Sequence, residues 1–382
     1  MTKFGRLLTQ AFFLGYWLVG DVVTSQRLEN DESDATRLRT YWEGFGDAQV
    51  GCAGHVETTY KWRANDWENN LVELLLAWSH GILGGHLDIA VVLEAGSCAL
   101  ETGCDAEDAA ETTAESAWSP FFLPMPHLCV FDTQQDWEDF MEASNAAPEV
   151  KEAALSNLEK DIDVGEDPVA QNAFQSGETD LVESMTMGLD RLLSYLQPRV
   201  TDGVRSFLDA PGTENFEAVE SVGMHVRDIP PRMYGKYEVS ETLDCFERVF
   251  KVFEDRDNGA RSSGITRVWL VSEDDTALPE AKKLAGRYFR SVKGDDVFQI
   301  GGPALSPDAP AGPADAADAP GDIAENDALI QLVAQLEVLA STDVFVGAFS
   351  ANLSRLVFLR REALHRLRGT CVSTDKLSPF PK

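Results

Sequence analysis

Three short polar clusters in the second half of the chain hold side chains that could bind a phosphate or move a proton. The first contains His225, Arg227 and Asp228, at the end of the apolar run Ser221–Val226. In an extended chain His225 and Arg227 point to the same side, and an arginine there can hold a phosphate through two parallel hydrogen bonds. The spacing fits equally well with a surface Arg227 that pairs with Asp228.

The second cluster runs from Phe349 to Arg355, where a predicted strand is followed by a predicted helix. The backbone N–H groups at the start of a helix carry partial positive charge, so this turn suits a phosphate. Ser350 can bond a phosphate oxygen there, although a plain helix cap is the commoner use of such a serine. Arg355 lies one turn into the helix, from where its side chain can reach either the protein interior or a binding crevice.

The third cluster is the acidic run Glu273, Asp274 and Asp275, directly after the predicted strand Val268–Val271. A metal site is one interpretation, but contiguous acids do not converge on one ion and no histidine lies close by in the sequence. The acids could instead hydrogen-bond a ligand hydroxyl or a backbone amide, or form the solvated start of a helix. The sequence contains no G-x-G-x-x-G, Walker or G-x-S-x-G motif.

Strands and helices alternate along the chain, which predicts an α/β fold with parallel, doubly wound sheets. We expect two Rossmann-like lobes, an N-terminal one at residues 61–212 and a C-terminal one at residues 213–382, with a ligand crevice between them. Residues 303–325 are mainly Pro, Ala, Asp and Gly, which cannot build a core, and are predicted to be a flexible insertion. The predicted strands are 89–93, 127–131, 221–226, 265–271, 297–300 and 343–347, and the predicted helices are 65–83, 181–196, 240–253, 328–339 and 352–367.

The net charge and the amino-terminal segment limit which classes of partner the protein can bind. The chain has 64 acidic and 32 basic residues, a net charge of −32, which argues against a nucleic acid or an anionic membrane as partner. Lys3 and Arg6 precede the apolar run Ala11–Gly20, which predicts a signal peptide or a short anchor over residues 1–25, with a buried amphipathic helix as the third interpretation. Membrane contact is expected only if this segment is kept as an anchor. The following residues, 26–60, are predicted to be a stem or helical lead-in.

The six cysteines fit a secretory protein with disulfide bonds. None forms a C-x-x-C pair, so a zinc site is not expected. Cys98 and Cys104 flank a short loop and are expected to pair with each other or with Cys129, with buried free thiols as the alternative, above all for Cys245. Asn352 begins the one glycosylation sequon of the sequence, and its place in a candidate binding turn argues against its use.

Three segments resemble, in order, the α-1,6-fucosyltransferase family, which belongs to a wider group with the nodulation fucosyltransferases and the protein O-fucosyltransferases. They are Ser221-Val-Gly-Met-His-Val-Arg227, Val268-Trp-Leu-Val-Ser-Glu-Asp-Asp275 and Ser341-Thr-Asp-Val-Phe-Val-Gly-Ala-Phe-Ser-Ala-Asn-Leu-Ser-Arg355. The third is the most specific, because its aspartate, its strand and its Phe-Ser…Arg tail keep the family's spacing. The resemblance covers roughly residues 60–365.

The resemblance implies a two-lobed GT-B fold and an inverting glycosyltransferase that moves fucose from GDP-fucose to a glycan or glycoprotein, without a metal or other cofactor, in the Golgi or the ER lumen. The donor would lie in the C-terminal lobe and the acceptor on the N-terminal lobe. His225 would help hold the nucleotide, Arg227 would bind the β-phosphate and act in catalysis, and Ser350 would support the pyrophosphate. The full donor-binding set that it implies is His225, Arg227, Glu273, Asp274, Gln335, Ser350, Ala351 and Arg355.

The sequence departs from the family's pattern at three positions. No carboxylate falls on the position of the family's base, so Asp228 and Glu238 are the nearby substitutes. Gln335 stands where the family has an acid that contacts guanine, and Ala351 replaces the second serine of a Phe-Ser-Ser motif. Three hypotheses stay open: a fucosyltransferase, with the core N-acetylglucosamine of an N-glycan as one acceptor; a nucleotide- or glycan-binding protein of impaired activity; and a transferase for another nucleotide sugar.

Overall fold

Two parallel β-sheets and the helices around them make up the part of the chain that the structure describes. The structure is a computed structural model. It describes residues 34–48, 50–52, 56, 58–63, 67–93, 118–119, 121–144, 147–159, 179–209, 220–226, 242–243, 265–272, 276–289, 291–300, 328–348, 351–364 and 370–372.

Within the described residues, the first sheet has three parallel strands. They are, in spatial order, β1 (Thr58–Trp62), β2 (Ile89–Leu93) and β3 (Leu128–Phe131). The central strand β2 is apolar throughout and buried at every residue, as expected for a strand that is covered on both faces. The edge strand β1 is mixed, because Tyr60 and Trp62 are buried while Lys61 between them is exposed. All three strands point the same way, so their carboxyl ends meet at one edge.

Six helices lie before, between or after these strands in the N-terminal half of the described chain. They are α1 (Asp34–Gly44), α2 (Trp67–Gly84), α3 (Gln134–Ala143), α4 (Pro148–Glu159), α5 (Thr179–Ser194) and α6 (Pro198–Leu208). Helix α2 is apolar around most of its circumference and is accordingly buried along most of its length. Local signals fix two of the boundaries: Thr133 forms a capping box with Asp136 at the start of α3, and Pro198 opens α6.

Helix α1 lies in the stretch predicted to be a stem or helical lead-in, and it packs into the lobe. Trp42 is fully buried and donates from Nε1 to Oγ of Ser184 at 3.1 Å. Burial raises the pKa of Tyr41, whose phenol donates to the carbonyl of Leu87 at 2.9 Å. This helix therefore packs against the rest of the N-terminal half.

The second sheet has five parallel strands among the described residues. They are β4 (Ser221–Val226), β5 (Arg267–Ser272), β6 (Val297–Gln299), β7 (Val344–Gly347) and β8 (Thr370–Val372), in the spatial order β6-β5-β4-β7-β8. The chain begins in the centre with β4, moves outward to β6, and then returns to build β7 and β8 on the other side. The carboxyl ends of β4 and β7 therefore flank the point where the winding reverses, at which doubly wound sheets bind their ligands.

Helix α9 is anchored by a buried arginine. Helices α7 (Ala277–Tyr288), α8 (Ala328–Ser341) and α9 (Asn352–Ala363) belong to the C-terminal lobe. Near the end of α9, the fully buried Arg361 donates from Nη1 to the carbonyls of Ala340 and Thr342 and from Nη2 to the carbonyl of Asp343. These bonds tie the end of α9 to the turn that leads from α8 into β7.

Asp343 aligns β7 with β4. Its carboxylate Oδ2 accepts a hydrogen bond from the N–H of Ser221 at 2.8 Å, and its own N–H donates to the carbonyl of Ser221 at 3.0 Å. The two strands then pair with Val222 opposite Val344. The aspartate of the third family-like segment therefore sets the register of the strands that carry the candidate site.

The largest buried apolar cluster draws side chains from both halves of the chain. It includes Leu75 of α2 and Leu189 of α5 together with Leu336 of α8 and Leu356 of α9. A second cluster fills the space between α7 and the second sheet. Both sheets also lie within one unit of the chain, Asp34–Lys382. The two halves are therefore joined through a common core.

The α/β fold class with parallel sheets is confirmed. Each of the predicted strands is present within two residues of its expected ends, and β1 and β8 are additional. The segments 1–25 and 303–325 lie outside the described residues, as does the predicted helix 240–253 apart from Thr242 and Leu243. No described helix is long and apolar enough to cross a membrane. The lobe boundaries and the crevice stay predictions.

The disulfide differs from the expected pairing. Cys129 of β3 is bonded to Cys52, with 5.7 Å between their Cα atoms, so its predicted pairing with Cys98 or Cys104 is wrong. The partners are 77 residues apart in the sequence, and the fold brings them together because the segment before β1 passes beside β3. Cys98 and Cys104 themselves lie outside the described residues.

Peptide mapping without reductant should recover Cys52 linked to Cys129. Because the bond closes a long loop, Cys52→Ser should lower the free energy of unfolding by about 2–5 kcal/mol, measured by urea denaturation. The double variant Cys52→Ser/Cys129→Ser should lose no more than the single one, since both remove the same bond. Recovery of Cys129 linked to another cysteine would contradict this pairing.

Replacing Arg361 by methionine should destabilise the protein strongly. The variant keeps most of the side-chain volume but leaves the carbonyls of Ala340, Thr342 and Asp343 without their donor, and each unpaired buried carbonyl costs about 1–3 kcal/mol. We expect a loss of about 3 kcal/mol or more in urea denaturation. The matched control is Arg205→Met on α6, whose side chain is 73% exposed. A comparable loss in both variants would rule out the anchoring role of Arg361.

Candidate functional site

The carboxyl ends of β4 and β7 and the first turn of α9 form the candidate site. They lie at the same edge of the second sheet, because β4 and β7 are adjacent and parallel. The winding of the sheet reverses between these two strands. Open α/β sheets bind their ligands outside the carboxyl ends of the strands at a reversal of this kind.

His225, the penultimate residue of β4, lies at this edge. It is 8% exposed, and its Nδ1 is 2.8 Å from Oγ of Ser354 on α9. Ser354 is itself fully buried. The hydrogen bond therefore joins the end of β4 to the first turn of the helix that follows β7.

Gly347, the last residue of β7, lets α9 approach the sheet closely enough for this bond. A Cβ at this position would overlap Oγ of Ser354 and the ring of Phe345. Phe345 is buried and cannot swing away into solvent. The close approach of α9 to β7 therefore requires glycine at position 347.

The first turn of α9 has no capping side chain of its own. Its N-cap is Ala351, a buried residue with extended backbone (φ −101°, ψ 132°) and no side-chain oxygen. The first N–H groups of a helix have no partner within the helix. A serine or aspartate at the N-cap would ordinarily satisfy one of them, so α9 must find this partner elsewhere.

The N-terminal lobe supplies that partner. The N–H of Leu353 donates to Oε2 of Glu68 in the first turn of α2 at 3.2 Å. Beside it, Nδ2 of Asn352 donates to Oδ1 of Asn69. A carboxylate at the amino end of a helix is favourable because it faces the positive end of the helix dipole. The helix end predicted to support a pyrophosphate thus already accommodates an anionic oxygen.

Arg355 turns inward rather than toward a crevice. Its side chain is 2% exposed, and Nη1 donates to Oδ1 of Asn352 at 2.6 Å. The amide of Asn352 therefore links Arg355 on one side to Asn69 on the other. Because Asn352 is buried in these contacts, its amide is not accessible for glycosylation in the folded protein.

A hydrogen-bonded turn positions the amino end of α2. The side-chain amide of Asn70 donates to the carbonyl of Arg63 at 2.8 Å and accepts from the N–H of Arg63 at 3.0 Å. The hydroxyl of Tyr60 lies 2.9 Å from Oδ1 of Asn70 and 3.0 Å from Oε2 of Glu73. These contacts join the carboxyl end of β1 to the first two turns of α2 and so fix the position of the helix start that carries Glu68 and Asn69.

Gln335 lies on α8 and reaches the β6 side of the sheet. It is buried, and its Nε2 donates to the carbonyl of Ile300 at 3.3 Å. Ile300 directly follows β6, and its N–H donates to the carbonyl of Leu270 in β5 at 2.8 Å. The amide nitrogen of Gln335 is therefore bonded within the protein, two strands away from His225.

The remaining predicted site residues lie outside the described part of the chain. They are Arg227, Asp228, Glu238, Glu273, Asp274 and Ser350. The strands that precede two of these clusters are neighbours, because Val226 at the end of β4 pairs with Ser272 at the end of β5. Among the residues that the structure does describe, no three His, Cys, Asp or Glu side chains cluster as a metal site would. The roles of these residues, and transfer without a metal, stay predictions.

Sequence reasoning did not identify Ser354, Glu68 or Asn69 as residues of this site. Ser354 could have been identified from the sequence, since it lies within the third family-like segment and in the first turn of the helix after a strand. The sequence gives little indication that Glu68 and Asn69 belong to the site, because polar and acidic residues in the first turn of a helix are common. Their approach to α9 depends on how the two halves of the chain pack.

No protein-family model and no curated protein matches this chain by sequence. Solved structures match it in shape at low sequence identity. The fucosyltransferase NodZ from Bradyrhizobium is 14% identical, over 85% of this chain and 96% of that chain, with a TM-score of 0.40. A mutant of Arabidopsis thaliana FUT1 in complex with GDP is 11% identical, over 91% and 80%, with a TM-score of 0.39. POFUT1 in complex with GDP is 12% identical, over 85% and 100%, with a TM-score of 0.35. Overlaps at this level do not by themselves assign an activity to this chain.

Removing the carboxylate of Glu68 should destabilise α9. Glu68→Ala leaves the N–H of Leu353 without its partner in a helix that has no cap of its own, so the free energy of unfolding should fall by about 1 kcal/mol. Glu149→Ala is the matched control, since Glu149 lies in the exposed first turn of α4, and it should lose less than half as much in the same urea titration. Equal losses in the two variants would refute the contact between α2 and α9.

Proposed function

We propose that this protein is an inverting, metal-independent glycosyltransferase that moves fucose from GDP-fucose to a glycan. The observation that carries the proposal is the contact of His225 with Ser354 at the point where the second sheet reverses its winding. Through this contact, two segments that resemble α-1,6-fucosyltransferases, Ser221–Arg227 and Ser341–Arg355, meet at the edge where doubly wound sheets bind their ligands. The segment Val268–Asp275 begins on β5, the strand beside β4.

The reaction needs positive charge or N–H donors where the leaving diphosphate gains negative charge. The amino end of α9 supplies the positive end of a helix dipole, while its Leu353 N–H is already bonded to Glu68. Arg227 would bind the β-phosphate with a full charge and a two-pronged hydrogen-bonding geometry, and Ser350 would support the pyrophosphate. With the charge provided by these groups, the transfer requires no metal.

Inversion in a single displacement also requires a base for the acceptor hydroxyl. A carboxylate within hydrogen-bonding reach of that hydroxyl can take its proton as the sugar–phosphate bond breaks. Asp228 and Glu238 are the proposed bases, because Asp228 directly follows the proposed phosphate-binding arginine and Glu238 lies in the same segment after β4.

We propose a glycan or glycoprotein acceptor that binds on the N-terminal lobe, with the core N-acetylglucosamine of an N-glycan as the specific candidate. The disulfide between Cys52 and Cys129 supports an oxidising compartment such as the ER lumen or the Golgi. The net charge of −32 supports a small-molecule donor and a glycan over a nucleic acid.

A transferase for another nucleotide sugar is the second candidate, and Gln335 favours it. Its Nε2 is bonded to the carbonyl of Ile300. An amide also cannot form the charge-assisted hydrogen bonds that a carboxylate gives to the donor groups of guanine. The identity of the donor's nucleobase is therefore the least constrained part of the proposal.

A transfer assay with a panel of GDP- and UDP-sugars and a mixture of glycopeptides tests the proposal. We expect transfer from GDP-fucose, loss of that transfer in Arg227→Ala, and a reduction of about ten- to hundredfold in His225→Ala, since charge-assisted contacts to phosphate are worth about 1.5–3 kcal/mol. His80→Ala is the matched control, because His80 is exposed on α2, and it should keep full activity.

The other outcomes separate the alternatives. Binding of GDP without any transfer would favour a binding protein of impaired activity. Transfer only from a UDP-sugar would favour the second candidate. Full activity of His225→Ala would contradict the site proposed here, whichever sugar is transferred.

A further inference from the structure

Ser354 is a buried polar side chain next to the site, and the proposed chemistry gives it no role. Its Oγ lies 2.8 Å from Nδ1 of His225, and both side chains are buried. Ser354 stands on α9 and His225 on β4, so the bond joins two elements that are far apart in the sequence. A bond between two buried partners persists only if both elements keep their positions.

The bond determines which edge of the imidazole can meet a ligand. With Nδ1 engaged by Ser354, a contact between the ring and a substrate is made through Nε2. The hydroxyl also limits rotation of the ring, so less freedom is lost when a ligand binds to it. Gly347 is a condition for this arrangement, because any side chain there would overlap Oγ of Ser354.

We propose that Ser354 is the positioning residue of His225 and thereby sets the affinity of the site for the phosphate groups of a nucleotide. This inference rests on the proposed function, because it takes a nucleotide diphosphate as the ligand. Ser354 touches no substrate in this account and acts only through the imidazole.

The proton balance of the ring follows from the chemistry of the ligand. A phosphate oxygen accepts hydrogen bonds, so Nε2 must carry a proton to donate one. In a neutral ring this leaves Nδ1 unprotonated, and the hydroxyl of Ser354 donates to it. Loss of the hydroxyl removes the preference for this tautomer, and the ring then divides between its two neutral forms.

A double-mutant cycle measured with GDP tests the inference. Wild type, Ser354→Ala, His225→Ala and the double variant are titrated with GDP by calorimetry. We expect Ser354→Ala to weaken GDP binding about five- to tenfold, as loss of a hydrogen bond does. In the His225→Ala background the same substitution should change the affinity less than twofold, because a residue that acts through the imidazole has no effect without it.

Two further measurements distinguish a positioning role of Ser354 from an effect on the stability of the fold. Ser79→Ala is the matched control, since Ser79 is also buried and is bonded to Oγ of Ser184 at 2.8 Å in the N-terminal lobe, and it should lower the melting temperature without changing the affinity for GDP. Nitrogen NMR of the six histidines, with His225 assigned by its loss in His225→Ala, should show a proton on Nε2 of His225 in wild type. In Ser354→Ala the same signals should show a mixture of tautomers.

The outcomes distinguish this inference from the proposed function. If wild type binds GDP but Ser354→Ala binds it equally well, or if the loss is the same in both backgrounds, the inference is wrong while the proposed function stands. If wild type does not bind GDP, the proposed function fails. An unchanged tautomer of His225 in Ser354→Ala would overturn the positioning role in either case.

Discussion

The position of helix α9 is the constraint on which the candidate site depends. Its end is held by Arg361, and a buried guanidinium is tolerated only where acceptor groups pair with its N–H groups, which here are backbone carbonyls. Those carbonyls come from the turn between α8 and β7, which is itself aligned with β4 through Asp343. Between these anchors, Gly347 allows close packing on β7. The helix therefore has one axial position, and from it Ser354 reaches His225.

The same helix also makes the site depend on both halves of the chain. One side of α9 packs on the second sheet, while its first turn contacts Glu68 and Asn69 of α2. Apolar residues of α2 and α5 share a core with those of α8 and α9. A change in the N-terminal lobe can therefore alter the amino end of α9 without touching β4. The two halves of the chain are therefore coupled at the amino end of α9 as well as through their common core.

Much of the sheet framework could be predicted from sequence, because runs such as Ile89–Leu93 are continuous, apolar and β-branched. Strand β1 was not predicted from this pattern, since Thr58–Trp62 mixes threonine, lysine and aromatic residues. The position of His225 near the end of β4 was predictable, because Ser221–Val226 is a clear apolar strand, while its role in binding stays a prediction. The contacts of Glu68 and the pairing of Cys52 with Cys129 were not, because both depend on tertiary packing rather than on local pattern.

A crystal structure of the protein with GDP tests the central claim most directly. The account predicts the nucleotide at the carboxyl edge of the second sheet between β4 and β7, with a phosphate oxygen within hydrogen-bonding distance of Nε2 of His225 and close to the first turn of α9. A nucleotide bound at the opposite edge of that sheet or on the N-terminal lobe, or a diphosphate that does not contact His225, would contradict it.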